Sequence, residues 1–360
     1  MKKVTLFIVG LMTLLVIAGC KPTTTADGTQ STDQAGETVV LNIMTHDSFS
    51  ASETVIAQFE EANNVKLNFL KSGDTGGALN RAILSKESPL ADVFFGVDNT
   101  FLTRAINAEI FEPYNSRELS NIDDSFILDN EFNVLPVDYG DVCINYDKAY
   151  FLKFNLALPQ SFEDLLKPEY KGLLVVENPA LSSPGLAFML ATISHFGEDG
   201  YLDFWKGLRE NGLVVANDWE TAYYTNFSAS SGRGPQPMVV SYGTSPAAEV
   251  IYADEKLDDA PTASLVGDDM CYRQIEFVGI LKGTKNRQQA EKFVDFMLQK
   301  EFQEDIPLQM FVYPVNKLAT LPQEFVDYTQ SPENPAIVAS ETINIRREQW
   351  IQDWTDTVIK

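Results

Sequence analysis

Bond-making chemistry needs a nucleophile beside a base, or a cluster of metal ligands, and this chain offers little of either. It has two histidines, His46 and His195, and three cysteines, Cys20, Cys143 and Cys271. No serine or cysteine pairs with a histidine at a recognisable spacing. Zinc-ligand spacings, a G-x-S-x-G elbow, a P-loop and G-x-G-x-x-G are absent, so neither an enzyme nor a metal or cofactor site is expected. The chain does offer polar and aromatic residues where it turns. His46 and Asp47, Gly73 and Asp74, and Asp98 and Asn99 each follow an apolar run. Trp219 stands among polar neighbours in Asn217-Asp218-Trp219-Glu220, Tyr242 ends the run Met238-Val239-Val240-Ser241, and Ser183 lies in Ser182-Ser183-Pro184-Gly185 ahead of a helix. Residues of this kind hold a small molecule rather than transform it. Each also has a plainer reading: Asp74 and Asp98 as helix caps, Trp219 and Tyr242 as packing, His46 as loop filler, and Asp138 as the entry to a strand that leaves one domain.

The elements that would position them follow a leader. Lys2 and Lys3 precede an apolar run from Val4 to Ala18, closed by Ile17-Ala18-Gly19-Cys20. A charged start, a run too short for a comfortable membrane span and small residues before a cut make residues 1–20 a secretory signal. A cysteine directly after the small pair resembles a lipobox, in which Cys20 is lipidated and tethers the mature chain outside the cytoplasm. Residues 21–37 hold no aromatic and almost no aliphatic side chain, the composition of a flexible stalk. The net charge of −24 makes nucleic acid and anionic lipid poor partners.

Residues 38–360 read as an α/β chain too long for one core. Val39 to Met44, Val65 to Leu70 and Ala91 to Gly96 read as strands. Helices follow them, over Glu53 to Asn63 with a cap at Asp47-Ser48, through Asn80 to Leu84, and after Asp98-Asn99. A βαβαβα order implies a parallel sheet with its ligand beyond the carboxyl ends of the strands. Leu135 to Asp147 is long enough to cross between domains, and Tyr272 to Val278 returns. The reading is lobe 1 over 38–140, lobe 2 over 141–271, with a helix from Leu186 to His195, and 272–360 as the return plus C-terminal helices. Cys143 and Cys271 flank the two crossings. They are read equally as a disulfide or as two separate buried thiols.

Thr45-His46-Asp47-Ser48-Phe49, Leu79-Asn80-Arg81, Gly96-Val97-Asp98-Asn99, Pro136-Val137-Asp138-Tyr139-Gly140, Ser183-Pro184-Gly185-Leu186, Trp219-Glu220-Thr221-Ala222-Tyr223, Ser241-Tyr242-Gly243-Thr244-Ser245-Pro246 and Val312-Tyr313-Pro314-Val315 occur in this order across the globular part. The series resembles the thiamine-binding subgroup of solute-binding proteins that serve ATP-binding-cassette importers. The resemblance implies a two-lobed periplasmic-binding-protein-like fold with crossing hinge strands. It also implies a monomer that captures thiamine or a thiamine phosphate and delivers it to the permease subunits in the membrane. By the same resemblance the ligand contacts are His46, Asp74, Ser183, Trp219, Tyr242 and Phe311. Asp74 would face the thiazolium cation, the rings would stack, and Ser183 would present donors to a phosphate. His46 replaces a tyrosine common in the family, Phe311 a tryptophan and Ala248 a tyrosine, with Tyr252 one helical turn on as a substitute ring. These departures bear on which member of the ligand class is taken. Ferric-ion-binding proteins have a similar lobed fold and use adjacent tyrosines, so Tyr223-Tyr224 supplies the alternative. Its expected outcome is one cleft or core ring and one outward ring.

Overall fold

In this computed structural model the described residues are 38–229 and 234–360. The leader, Cys20 and the stalk lie outside them, as do residues Gly232 and Arg233 of the Gly232-Arg233-Gly234 turn. Alternating and fully apolar runs become strands. The first lobe begins Val39–Thr45 (β1), Glu53–Asn63 (α1), Val65–Lys71 (β2), Thr75–Leu84 (α2), Val93–Asp98 (β3), Leu102–Asn107 (α3) and Phe111–Glu112 (β4). β1 lies between β2 and β3, parallel to both. Their carboxyl ends therefore open on one edge and carry His46 and Asp47, Gly73 and Asp74, and Asp98 and Asn99. The cap of α1 is not Asp47-Ser48 but Ser52, whose Oγ accepts from the Val55 N–H. Asp47 turns away because its carboxylate accepts the Gly73 N–H at 2.9 Å.

Leu135–Asp147 (β5) changes partner halfway. Its residues Leu135 to Val142 pair antiparallel with Tyr272–Leu281 (β10), and Val142 to Asp147 pair with Met238–Tyr242 (β8) and Thr262–Leu265 (β9). Between β5 and β8 run Lys148–Phe154 (α4), Leu174–Glu177 (β6), Ser183–Glu210 (α5) and Val214–Ala216 (β7), and Ser245–Ile251 (α6) follows β8. The sheet order is β2-β1-β3-β10-β5-β8-β6-β7. After β10 the chain forms Arg287–Leu298 (α7), Lys300–Gln309 (α8), Tyr313–Pro314 (β11), Gln323–Tyr328 (α9) and Ser340–Val358 (α10).

The core separates with the sheet. Leu41, Ile43, Val93, Phe95, Phe293 and Phe302 pack on the β1–β3 side. Phe162, Phe188, Trp205, Trp350 and Trp354 pack on the other. α10 thus joins the second core, with the Trp354 ring 5.3 Å from Trp205 on α5. α5 itself is longer than the expected Leu186 to His195. It runs on through a kink at Gly197, whose φ of 72° is a backbone setting other residues rarely adopt. Tyr201, Phe204, Trp205 and Leu208 then resume a buried face at helical spacing. Cys143 and Cys271 form a disulfide with Cα atoms 4.4 Å apart, which resolves the two readings of the pair. It clamps the point where β5 passes from β10 to β8.

Candidate binding cleft

Asp74 is placed by a turn that needs Gly73, at φ 91°. One carboxylate oxygen caps α2 by accepting the Thr75 N–H at 2.7 Å. The other accepts the Ser183 N–H at 3.2 Å, so Asp74 is a helix cap and also a contact between the lobes. Asp98, wholly buried at the end of β3, divides its oxygens in the same way. Its Oδ1 accepts the Thr100 N–H at 2.7 Å, while Oδ2 meets the Ser183 hydroxyl and the Gln274 amide, the latter at 2.9 Å. Gln274 also donates to Ser183 Oγ at 2.8 Å and accepts from the Tyr242 hydroxyl at 3.2 Å. Ser183 can come this close because Pro184 and Gly185 start α5 flush against β6. A Cβ on Gly185 would fall 2.6 Å from the Glu177 carbonyl oxygen. Burial raises both carboxyls, Asp98 to about 6, although the hydrogen bonds they accept oppose the rise.

A second acidic group lies beside the first. Glu276 on β10 is the register partner of Asp138 on β5. Burial and the charge of Glu276 hold Asp138 well above the carboxylate range. His46 Nε2 stands 3.4 Å from Glu276 Oε1, its ring 5.5 Å from Phe95 and directly over Gly96, where a Cβ would approach Cδ2 to 2.4 Å. Burial works against a charge on His46, yet Glu276, Asp74 and Asp47 together keep its pKa above the ordinary value. Glu177, at the end of β6, is 0 % exposed and neither carboxylate oxygen has a hydrogen-bond partner from another residue. Burial pushes it well above its usual range, opposed by its own backbone N–H and reinforced by smaller contributions from Asp74 and Asp218. Sequence reasoning missed Glu177, Gln274 and Glu276. For Glu177 the signal was present, a lone acid closing the apolar run Leu173 to Val176 at a carboxyl end of the sheet.

The aromatic residues complete the wall. Trp219 donates from Nε1 to Ser241 Oγ at 2.9 Å, stacks on Tyr223 with centroids 5.0 Å apart and meets Tyr224 edge-on at 5.3 Å. Tyr223 is buried with its hydroxyl on Glu249, and Tyr224 is 44 % exposed, which is the expected division into a core ring and an outward one. Tyr242 lies over Gly140, where a Cβ would come within 2.6 Å of its ring. Phe311, at φ 60°, is tied by its carbonyl to the Thr244 hydroxyl and packs edge-on against Tyr252 at 5.1 Å. Tyr252 thus spends its ring on Phe311. The structure joins His46, Asp74, Ser183 and Tyr242 through Asp98, Gln274 and Glu276. Trp219 comes in through Ser241 and Phe311 through Thr244.

Buried acids and rings gathered where the two lobes meet can hold a cation with flat aromatic parts. Residues 88–342 match the family described as bacterial extracellular solute-binding proteins. The chain is 28% identical over 324 residues to the thiamine-binding periplasmic protein of Escherichia coli K12, covering 89% of this chain and 93% of that one. A solved periplasmic thiamin binding protein shares the two-lobed fold with a TM-score of 0.76 and 27% identity, over 89% of this chain and 96% of the other. The ferric binding protein from Campylobacter jejuni shares the fold alone, at 20% identity and a TM-score of 0.71 over 88% and 99% of the two chains.

Proposed function

Because the chain belongs to the bacterial extracellular solute-binding protein family, we propose that its cleft captures thiamine or a thiamine phosphate and delivers it to the permease of an ATP-binding-cassette importer. The observation that carries the ligand assignment is Glu177. A wholly buried carboxyl with no hydrogen-bond partner from another residue, close enough to Asp74 to feel its charge, is balanced by a ligand that brings a positive charge and N–H donors. Thiamine has both, in its thiazolium and its aminopyrimidine. His46, Asp74, Ser183, Trp219, Tyr242 and Phe311 are the proposed contacts, with Glu177 added. The thiamine-binding names of the relatives support the same ligand. Iron is disfavoured at Tyr223-Tyr224, because the Tyr223 hydroxyl is buried on Glu249 while Tyr224 is exposed, so the two phenols are not offered together to one ion. Attachment through a lipidated Cys20 belongs to this reading, with the binding domain held on the outer face of a membrane by residues 21–37.

The test is mass spectrometry of small molecules released on denaturing protein purified without added ligand, followed by titration of the refolded chain. Thiamine or its esters in the released pool and saturable thiamine binding are the expected results. Bound ferric ion, or a chain that takes up iron and ignores thiamine, overturns the assignment.

A further inference from the structure

A polar cavity of about 180 Å³ opens between α3 and α10 and is lined by Thr100, Thr103, Arg104, Asn344, Arg347 and Glu348. Arg347 is only 5 % exposed, and its Nε is buried without a hydrogen-bond partner. Its guanidinium rests 4.4 Å above the Phe101 ring and reaches Glu348 through one NH2 group. Arg104 donates to Asn80. Burial and the charge of Arg347 hold its pKa below the usual guanidinium range. The lining therefore carries two cations against one carboxylate, in a chain whose net charge is −24. A guanidinium as buried as that of Arg347, with a second one beside it, is costly unless an opposite charge sits against it.

We propose that this cavity is a binding site for a small tetrahedral oxyanion, phosphate or sulfate. Guanidinium forks suit such an ion because each offers parallel N–H donors to two oxygens, and the Thr103 hydroxyl and Asn344 amide add neutral donors. With a water molecule occupying roughly 30 Å³ of liquid, the space takes one hydrated ion and excludes a large ester. Arg104 comes from the lobe that carries Asp74, and Arg347 from the helix packed on the lobe that carries Ser183. The ion would therefore brace the two lobes at a place separate from the proposed ligand contacts.

Titration calorimetry with sodium phosphate at fixed ionic strength, chloride being the balancing anion, should give saturable binding to one site, and the thermal midpoint should rise with phosphate. A parallel sulfate titration separates a phosphate-selective site from a general one for tetrahedral oxyanions. Arg104→Gln, at a half-exposed position, should weaken phosphate at least about tenfold, the scale of one charged hydrogen-bonded pair, with its phosphate-free midpoint little changed. Thr103→Val gives a milder loss in a second variant that keeps both cations. No saturable heat, a midpoint that follows ionic strength alone, or undiminished binding by Arg104→Gln would each overturn the site. The last outcome would place the ion elsewhere, for example at Ser183.

Discussion

At the level of single residues, the acids of the cleft set its pH behaviour. An acid raised in the folded state keeps a proton that the unfolded chain releases, so its stabilisation is complete below the unfolded pKa and is lost as pH climbs through the folded one. For Asp98 that window runs from its ordinary value of 3.8 to about 6. Asp138 and Glu177 extend the loss to higher pH. His46 acts in the same sense, because a raised histidine stabilises the fold below its ordinary value of 6.5 and ceases to as pH passes its folded pKa. The ligand-free protein should therefore melt at a lower temperature at pH 8 than at pH 6, by calorimetry or circular dichroism; a flat or rising profile contradicts the assignment. Glu177→Gln isolates the largest unbalanced group. Because the amide keeps the buried polar atoms but has no proton to lose, it should flatten the fall in ligand-free stability between pH 6 and pH 8, while weakening thiamine roughly tenfold or more. A Gln variant whose stability falls as steeply as the parent's over that range would show that Glu177 has a partner in the ligand-free state.

At the level of elements, β5 is one continuous strand bonded to two half-sheets, and the disulfide sits at its change of partner. Joining positions separated by 128 residues limits the unfolded chain strongly, a gain of about 2–5 kcal/mol on the usual scale. Changing Cys143→Ser together with Cys271→Ser should lower stability by that amount, and the denatured, unreduced parent should show no reactive thiol from either position. Two titratable thiols there would refute the bridge. The crossing strands, β1 to β3 and α1 were legible because a period of two and unbroken apolar runs are local signals. The second half of α5 was not, since Gly197 reads as a stop and becomes a kink. The Ser52 cap was hidden because Asp47 is claimed by Gly73 from the neighbouring strand end. In the cleft, the strand-end rule located His46, Asp74 and Asp98. The roles of Gln274 and Glu276 depend on their register against β5 and β3, which no local pattern encodes. Trp350 and Trp354, four residues apart, announce a buried face of α10, but not that α5 would cover it.

At the level of the whole molecule, charge and anchoring have to be considered together. A chain with net charge −24 is repelled by an anionic membrane surface, whose attraction for basic segments has no counterpart here. Among the described residues no helix is long and apolar enough to cross a membrane. On the proposed reading the acyl chains on Cys20 hold the mature protein at the membrane, since buried methylenes contribute about 0.8 kcal/mol each and two or more chains give stable anchoring. Charge-held and acyl-held proteins separate cleanly in a wash: raising salt weakens the first and leaves the second in place. Membranes from the source cell should therefore retain this protein through a high-salt wash. Cys20→Ala should either release the binding domain into the soluble extracytoplasmic fraction or leave an unprocessed precursor. A Cys20→Ala chain that is processed normally and still sediments with membranes would mean that another part of the molecule makes the attachment.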